Sequence, residues 1–442
     1  DAKAAAVLRQ CQERYCASRV RLCGPGVKTH LSVIVQIPDL ARCAAEGASY
    51  LQSVAHLEYQ LYHCFFDRDC PPMAQLVADF AAIWYEELRP FVLHAKSFSV
   101  LCGVLLALRS RISAAAASPG TAGNASLTAV FQKMVADAQE RLIFLVQFFV
   151  REDIAGFIPD AARDLNFPAR LIQARREDDP QKTDWYSPVE RSVVALRRLR
   201  AVLEDNVFDG VAQEILLATV LSIVSASHTV TQKSSVVDGH LFVLKHVCLL
   251  RDEVKELRVS KGLVERSIDF SKMRAALAKR DISLKLFLPD LQTQSFDARK
   301  DLEMLLVHTL DAFVGAALNP ALQPLTGLVA RCAAHTGGSS AASASLKEEA
   351  WFNVAKVLSV LTEACAALSL RLPESLAICK QYLPLAHRRA VFVSIQNACL
   401  EPLVKLRKIL DGAFPELAID DPLVIQMDSI RKLVERTCAE ML

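Results

Sequence analysis

Apolar residues recur in this chain at alternating spacings of three and four, almost from end to end. Trp351, Val354, Leu358, Leu361, Cys365, Leu368 and Leu372 hold the pattern, and Val189, Val193, Leu196, Leu199 and Leu203 repeat it. Such residues share one face of a helix, whereas a half-buried strand needs strict alternation, and no convincing alternating run occurs. The pattern predicts an all-α chain whose helices must pack on one another.

Glycine usage narrows the functional classes. The 442 residues include 15 glycines, where average usage would give roughly 31. Phosphate-cradling loops and nucleophile elbows need glycine, because positive φ and close backbone approach are cheap only there. No Walker loop, His-Glu-x-x-His or Gly-x-Ser-x-Gly motif occurs. Charge is close to balance, 51 basic against 49 acidic residues, with no basic domain, which argues against nucleic acid as a partner. Thirteen cysteines lie scattered without a Cys-x-x-Cys. That odd, unpatterned set reads as reduced thiols in a cytosolic protein, not a disulfide framework or zinc knuckle.

Breaks in the pattern suggest an organisation. Ala114–Ser126 and His335–Ser345 are rich in Gly, Ser and Ala, and Ala174–Asp184 is charged and carries a proline. They predict an elongated rod of successive helical bundles: an N-terminal segment at 1–113, a continuation at 126–172, a middle bundle at 187–334 and a C-terminal bundle at 345–442. Flexible connectors are expected near 114–125, 173–186 and 335–344. Ser187-Pro188-Val189-Glu190 and Ser345-Leu346-Lys347-Glu348 read as capping boxes opening helices, and Asp420-Asp421-Pro422 as a helix start with proline in its first turn. Asp209-Gly210 and Pro373 read as helix ends. The uncharged run Ile215–Gln232 contains serines, threonines and His228, which lipid would penalise, so a buried helix is expected and no transmembrane segment. The opening DAKAAAVLRQC lacks a methionine and reads as helix interior, so the natural chain is expected to begin upstream. The sequon Asn124-Ala125-Ser126 reads as a chance match.

The stretch Asp238–Val254, DGHLFVLKHVCLLRDEV, most resembles a chemical site. On a helix turning about 100° per residue, His240 and His246 project about 120° apart and cannot share one metal ion. Leu241, Leu244, Val247, Cys248, Leu250 and Val254 cover more than half the circumference, leaving Lys245, Asp252 and Glu256 as a polar strip. The stretch reads as a helix covered on several sides, with His240 a satisfied core histidine. His63, His94, His228 and His308 stand isolated. Neither Asp178-Asp179 nor Asp420-Asp421 completes a diphosphate-binding acidic cluster. No catalytic, cofactor or metal residue is assigned; a Cys–His pair formed in space is left open. Aromatic segments at Tyr59–Phe66, Ile83–Tyr85 and Phe144–Phe149 fit either core or contact surface, with core favoured at helical spacing.

Several words in fixed order resemble one family. Asp184–Arg191 (DWYSPVER), Asp238–His246 (DGHLFVLKH) and Leu249–Glu253 (LLRDE) are similar to the signature region of the third subunit of the conserved oligomeric Golgi complex, a CATCHR-type helical rod family. Upstream, Glu58–Tyr62 with Phe65-Phe66, Leu88-Arg89-Pro90 with His94, Leu101-Cys102-Gly103, Gln139–Leu142, and Asp153–Phe157 with Pro159 follow the family order. The resemblance runs from about Leu57 to Glu253. The connector at 174–184 is shorter than expected for the family, and the family's N-terminal coiled coil is expected to lie outside this sequence.

The resemblance implies a non-enzymatic subunit of a multisubunit tether, without cofactors, peripheral on the cytoplasmic side of Golgi membranes and acting in retrograde intra-Golgi transport. Implied partners are the other subunits of that complex, SNAREs, Rab GTPases and the coatomer coat; the partner-binding residues are unassigned. A different helical scaffold and an all-α enzyme with a spatially assembled site are the competing readings.

Overall fold

The computed structural model describes residues 2–67, 70–117, 122–160, 164–165, 185–259, 298–336, 346, 349, 351–414 and 421–441. Among them every regular element is a helix: α1 Ala2–Ile34, α2 Leu40–His63, α3 Pro71–Leu93, α4 Phe98–Ala117, α5 Ala122–Phe149, α6 Ser187–Arg200, α7 Asp205–Lys233, α8 Val236–Glu256, α9 Ala298–Thr336, α10 Val354–Tyr382, α11 Leu385–Ala413 and α12 Pro422–Met441. A π-helical turn, Val150–Ala155, follows α5. Most of the connectors expected at 173–186 and 335–344 lies outside the described residues, as do Ser345, Lys347 and Glu348 of the second capping box. Described helix enters the 114–125 stretch from both sides, to Ala117 and from Ala122.

The chain falls into two compact units, Asp1–Gly156 with Val194–Ile215, and Phe157–Val193 with Leu216–Leu442. In the first, α3 packs against α1 and α5, while α2 packs on α4 and α4 on α5. Asp39 opens α2 by accepting the Ala41 and Arg42 N–H groups on its side chain, and Pro71-Pro72 open α3 where a proline's missing N–H costs nothing. Trp84 of α3 is wholly buried against Gly47 of α2, where a Cβ would stand 2.2 Å from the indole. Glycine is required there for close approach, not for its dihedral freedom. In the second unit, α8 packs on α9, α9 carries α10 and α11, and α12 leans chiefly on α10.

Some expected boundaries moved. Val189, Val193, Leu196, Leu199 and Leu203 are all buried, as the stripe requires. Ser187, however, is the first residue of α6 and not its cap: the Tyr186 carbonyl accepts the Val189 and Glu190 N–H groups. Asp209-Gly210 does not end a helix but lies inside α7. An interior glycine costs about 1 kcal/mol, and burial of Phe208, Val211 and Ala212 around it outweighs that.

Pro373 likewise stands inside α10. It removes the donor for the Ser369 carbonyl, at about 3 kcal/mol or more. Leu372 before it and Leu376, Cys379 and Tyr382 beyond it keep the buried line unbroken; at about 1.5–3 kcal/mol for each large apolar side chain, they hold the helix through the proline. The stripe of α10 is also rotated. Val357, Leu361, Ala364, Leu368 and Leu372 are buried, while Val354 is exposed and Leu358 and Cys365 are half-buried. Its cap is Asn353, whose side chain accepts the Lys356 N–H.

Most of Ile215–Gln232 is buried within α7, in line with the reading of a buried helix. By length and composition, three helical windows among the described residues could nonetheless cross a membrane: Phe98–Ala115, Asp205–Lys233 and Arg299–His335.

Candidate functional site

Helix α8 contains the Asp238–Val254 stretch, and its side chains are spent on holding the second unit together. Ser235 caps it, accepting the Asp238 N–H at 3.0 Å, while the Ser234 and Ser235 hydroxyls donate to Asp238 Oδ2 at 2.5 and 2.6 Å. The Asp238 Oδ1 accepts the Tyr382 hydroxyl of α10 at 2.9 Å. Burial first, and then this carboxylate, push the Tyr382 phenol well above its ordinary range. At the other end, Asp252 Oδ2 meets His387 Nε2 of α11 at 2.6 Å. Burial alone would raise the Asp252 carboxyl, but the His387 contact and neighbouring Arg251 outweigh it and hold it below its usual value.

The satisfied core histidine is His246, not His240. His246 Nε2 accepts the Tyr186 N–H at 2.9 Å, and Nδ1 lies 2.8 Å from the Phe242 carbonyl. An Nε2 that accepts leaves Nδ1 as the donor, which fixes the neutral tautomer and leaves neither nitrogen for a metal or substrate. Lys245 also departs from expectation, lying buried instead of on a polar strip. His240 is half-buried, with its pKa lowered by burial and then by the nearby His308 and His228. Those two are therefore not isolated: α7 and α9 bring His228 and His308 near enough to act on His240 of α8. The fold explains the miss, because the three residues lie on different helices. Among the described residues, no group of three or more His, Cys, Asp or Glu side chains is placed to hold a metal ion.

The buried thiols of Cys248, Cys379 and Cys399 are equally unsuited to nucleophilic work. All thirteen cysteines are free. Burial pushes Cys248 up to about 11 and Cys379 and Cys399 up to about 12, so they stay protonated.

Among the described residues, two exposed surfaces stand out. Of the three aromatic segments, Tyr59, Tyr62, Trp84 and Tyr85 are buried, but Phe65 is 66% exposed, and Phe144 and Phe148 are 56% and 52% exposed, one turn apart on α5. The core reading fails for these three phenylalanines. The second surface is an apolar groove of about 420 Å³ between α11 and α12, with Leu403 and Met427 in its floor and Arg407 and Arg431 beside them. No residue of the groove was singled out in the sequence. The only local signal was the pairing of Arg407 with Asp411 and Arg431 with Glu435, four residues on, which marks exposed helix faces without showing that the two faces meet.

Comparison with known proteins places these features. A family model described as "Conserved oligomeric Golgi complex subunit 3, C-terminal" matches residues 1–273. The match extends the resemblance beyond Leu57 and Glu253 in both directions. Curated proteins named conserved oligomeric Golgi complex subunit 3 are similar: the Mus musculus protein is 23% identical, covering 97% of this chain and 60% of its own length. The Homo sapiens protein is 22% identical, at 92% and 58%, and the Dictyostelium discoideum protein 21% identical, at 83% and 44%. The chain thus spans about half the length of the curated relatives it matches. No solved structure matches it.

Proposed function

Because the chain belongs to the family of conserved oligomeric Golgi complex subunit 3, we propose that it works as a non-catalytic part of a Golgi vesicle tether in retrograde traffic between cisternae. The match of the family model over residues 1–273 carries this reading. The chemistry of α8 agrees with it. The histidine, cysteine and acidic groups there that invite a catalytic interpretation are engaged in capping, in holding α10 and α11, or in the buried core.

On this reading the chain sits at the cytoplasmic face of the Golgi as a peripheral protein and assembles with the other subunits of the complex. SNAREs, Rab GTPases and the coatomer coat are its further partners. A helical scaffold suits the task because association through side surfaces needs no bond-making site. The test is affinity capture of the full-length protein from cell extract, with its companions identified by mass spectrometry. Co-recovery of other subunits of the Golgi complex is the expected result, and depletion of the protein should disturb Golgi glycosylation. Recovery without any other subunit overturns the reading.

A further inference from the structure

The groove between α11 and α12 is a feature of the second unit that packing among the described residues leaves open. Helix α12 leans on α10 and α11 on α9, so the two meet only along a short seam. The groove lies beside Pro402, inside α11: that residue has no N–H to give the Ala398 carbonyl, which weakens the ladder at this turn. Leu403 is 5% exposed and Met427 8%, forming a floor, whereas Val404 on the lip is 55% exposed.

Charge tells what fits. Beside the groove, α11 carries Lys405, Arg407 and Lys408 against Glu401 and Asp411, and α12 carries Arg431 and Lys432 against Asp428 and Glu435. Arg407 and Arg431 flank the floor from opposite helices, and Asp428 is the single acidic lining residue. Their partners, Asp411 and Glu435, are half-exposed residues of the same helix, each at 2.8 Å. Exposed pairs of this kind are worth at most about 1 kcal/mol, so both guanidinium groups can be re-engaged by an incoming carboxylate.

We infer that this groove docks an amphipathic helix of a partner polypeptide, one that presents leucine-like side chains at helical spacing to Leu403 and Met427 and acidic residues to Arg407 and Arg431. The inference rests on the assembly reading above only in assigning the occupant to another chain. It also commits to the acidic class, because two arginines, one on each helix, stand against the single carboxylate of Asp428 in the lining.

A charge exchange in the full chain tests it. The probe is a labelled synthetic helix of three heptads with leucine at the contact positions and glutamate beside them, and its twin carries lysine in place of glutamate. Binding is read by fluorescence anisotropy at low ionic strength. The glutamate helix should bind saturably and at least about tenfold more tightly than the lysine helix. Arg407→Glu with Arg431→Glu should reverse that order, and Val404→Asp should weaken both. These side chains are exposed, so circular dichroism of the variants should match the parent. Equal binding of the two helices, no binding, unchanged order in the double variant, or a dimer of the chain that buries Val404 would each overturn the inference. Co-recovery of Golgi subunits by the unmutated chain is a separate readout, so failure here leaves the assembly reading to its own test.

Discussion

Tyr382 and Asp238, 144 residues apart in sequence, are joined by a 2.9 Å hydrogen bond from the phenol to the carboxylate. The bond ties the end of α10 to the first turn of α8, where the same carboxylate already accepts two serine hydroxyls. Tyr382→Phe keeps the ring in its buried place and removes only the donor. A hydrogen bond to a charged group contributes about 1.5–3 kcal/mol, so the variant should lose stability at the lower end of that range. Equilibrium denaturation checks it, and an unchanged midpoint would show that the serines alone satisfy Asp238.

Gly47→Ala should be among the most damaging small substitutions in the first unit. Its Cβ would lie 2.2, 2.4 and 2.7 Å from three atoms of the Trp84 ring, which is fully buried and has no free direction to move. Overpacking of this kind costs about 1–3 kcal/mol or more. Trp84→Phe alone also destabilises, by leaving a void. The double substitution should be less damaging than the sum of the two, since the smaller ring makes room for the methyl group. A strictly additive result in a double-mutant cycle would mean that Gly47 and Trp84 do not press on one another.

How much of this could be read from the chain varies with the distance over which the cause acts. Local causes were legible. The stripe of Val189 to Leu203 is buried as spaced, and the Asp421 side chain with Pro422 opens α12 where the dipeptide lies. Punctuation was misread wherever tertiary packing overrode it, at Pro373 and at Asp209-Gly210. The angular argument separated His240 from His246, but which of the two is the satisfied one depends on Tyr186, 60 residues away. Exposure of Phe144 and Phe148, and the meeting of Arg407 with Arg431 across a groove, depend on which helices are neighbours, and periodicity carries no such information.

Acidification should weaken the second unit below neutral pH. Burial, then His308 and His228, lowers the His240 pKa from its ordinary value of 6.5. The folded state therefore favours the neutral ring, and the unfolded chain binds more protons as pH falls through 6.5. Stability conferred by the neutral ring is intact above that value and declines below it. The Asp252 carboxyl is depressed from 3.8, so its contribution persists through this window and is lost only at lower pH. The melting temperature should fall between about pH 7 and 5.5, and His240→Gln should flatten the fall. Part of the slope should survive in that variant, since burial also lowers His228. An identical slope in parent and variant would remove His240 from the account.

Arg19 and Glu58 provide the sharpest contrast between breaking an ion pair and replacing it. Arg19 of α1 donates Nε to Glu58 Oε2 at 2.8 Å and Nη2 to Oε1 at 2.5 Å, a two-pronged contact with a carboxylate whose side chain is 7% exposed. Arg19→Met leaves that carboxylate buried without its partner, which for a pair of this kind costs about 3 kcal/mol or more. Adding Glu58→Leu removes the stranded charge and supplies apolar volume between α1 and α2. The double variant should therefore be more stable than Arg19→Met alone, and within about 1–2 kcal/mol of the parent. Urea denaturation of the parent, both single variants and the double variant checks this ordering. If the double variant is the least stable of the four, the geometry of the pair and not its desolvation governs how α1 is held.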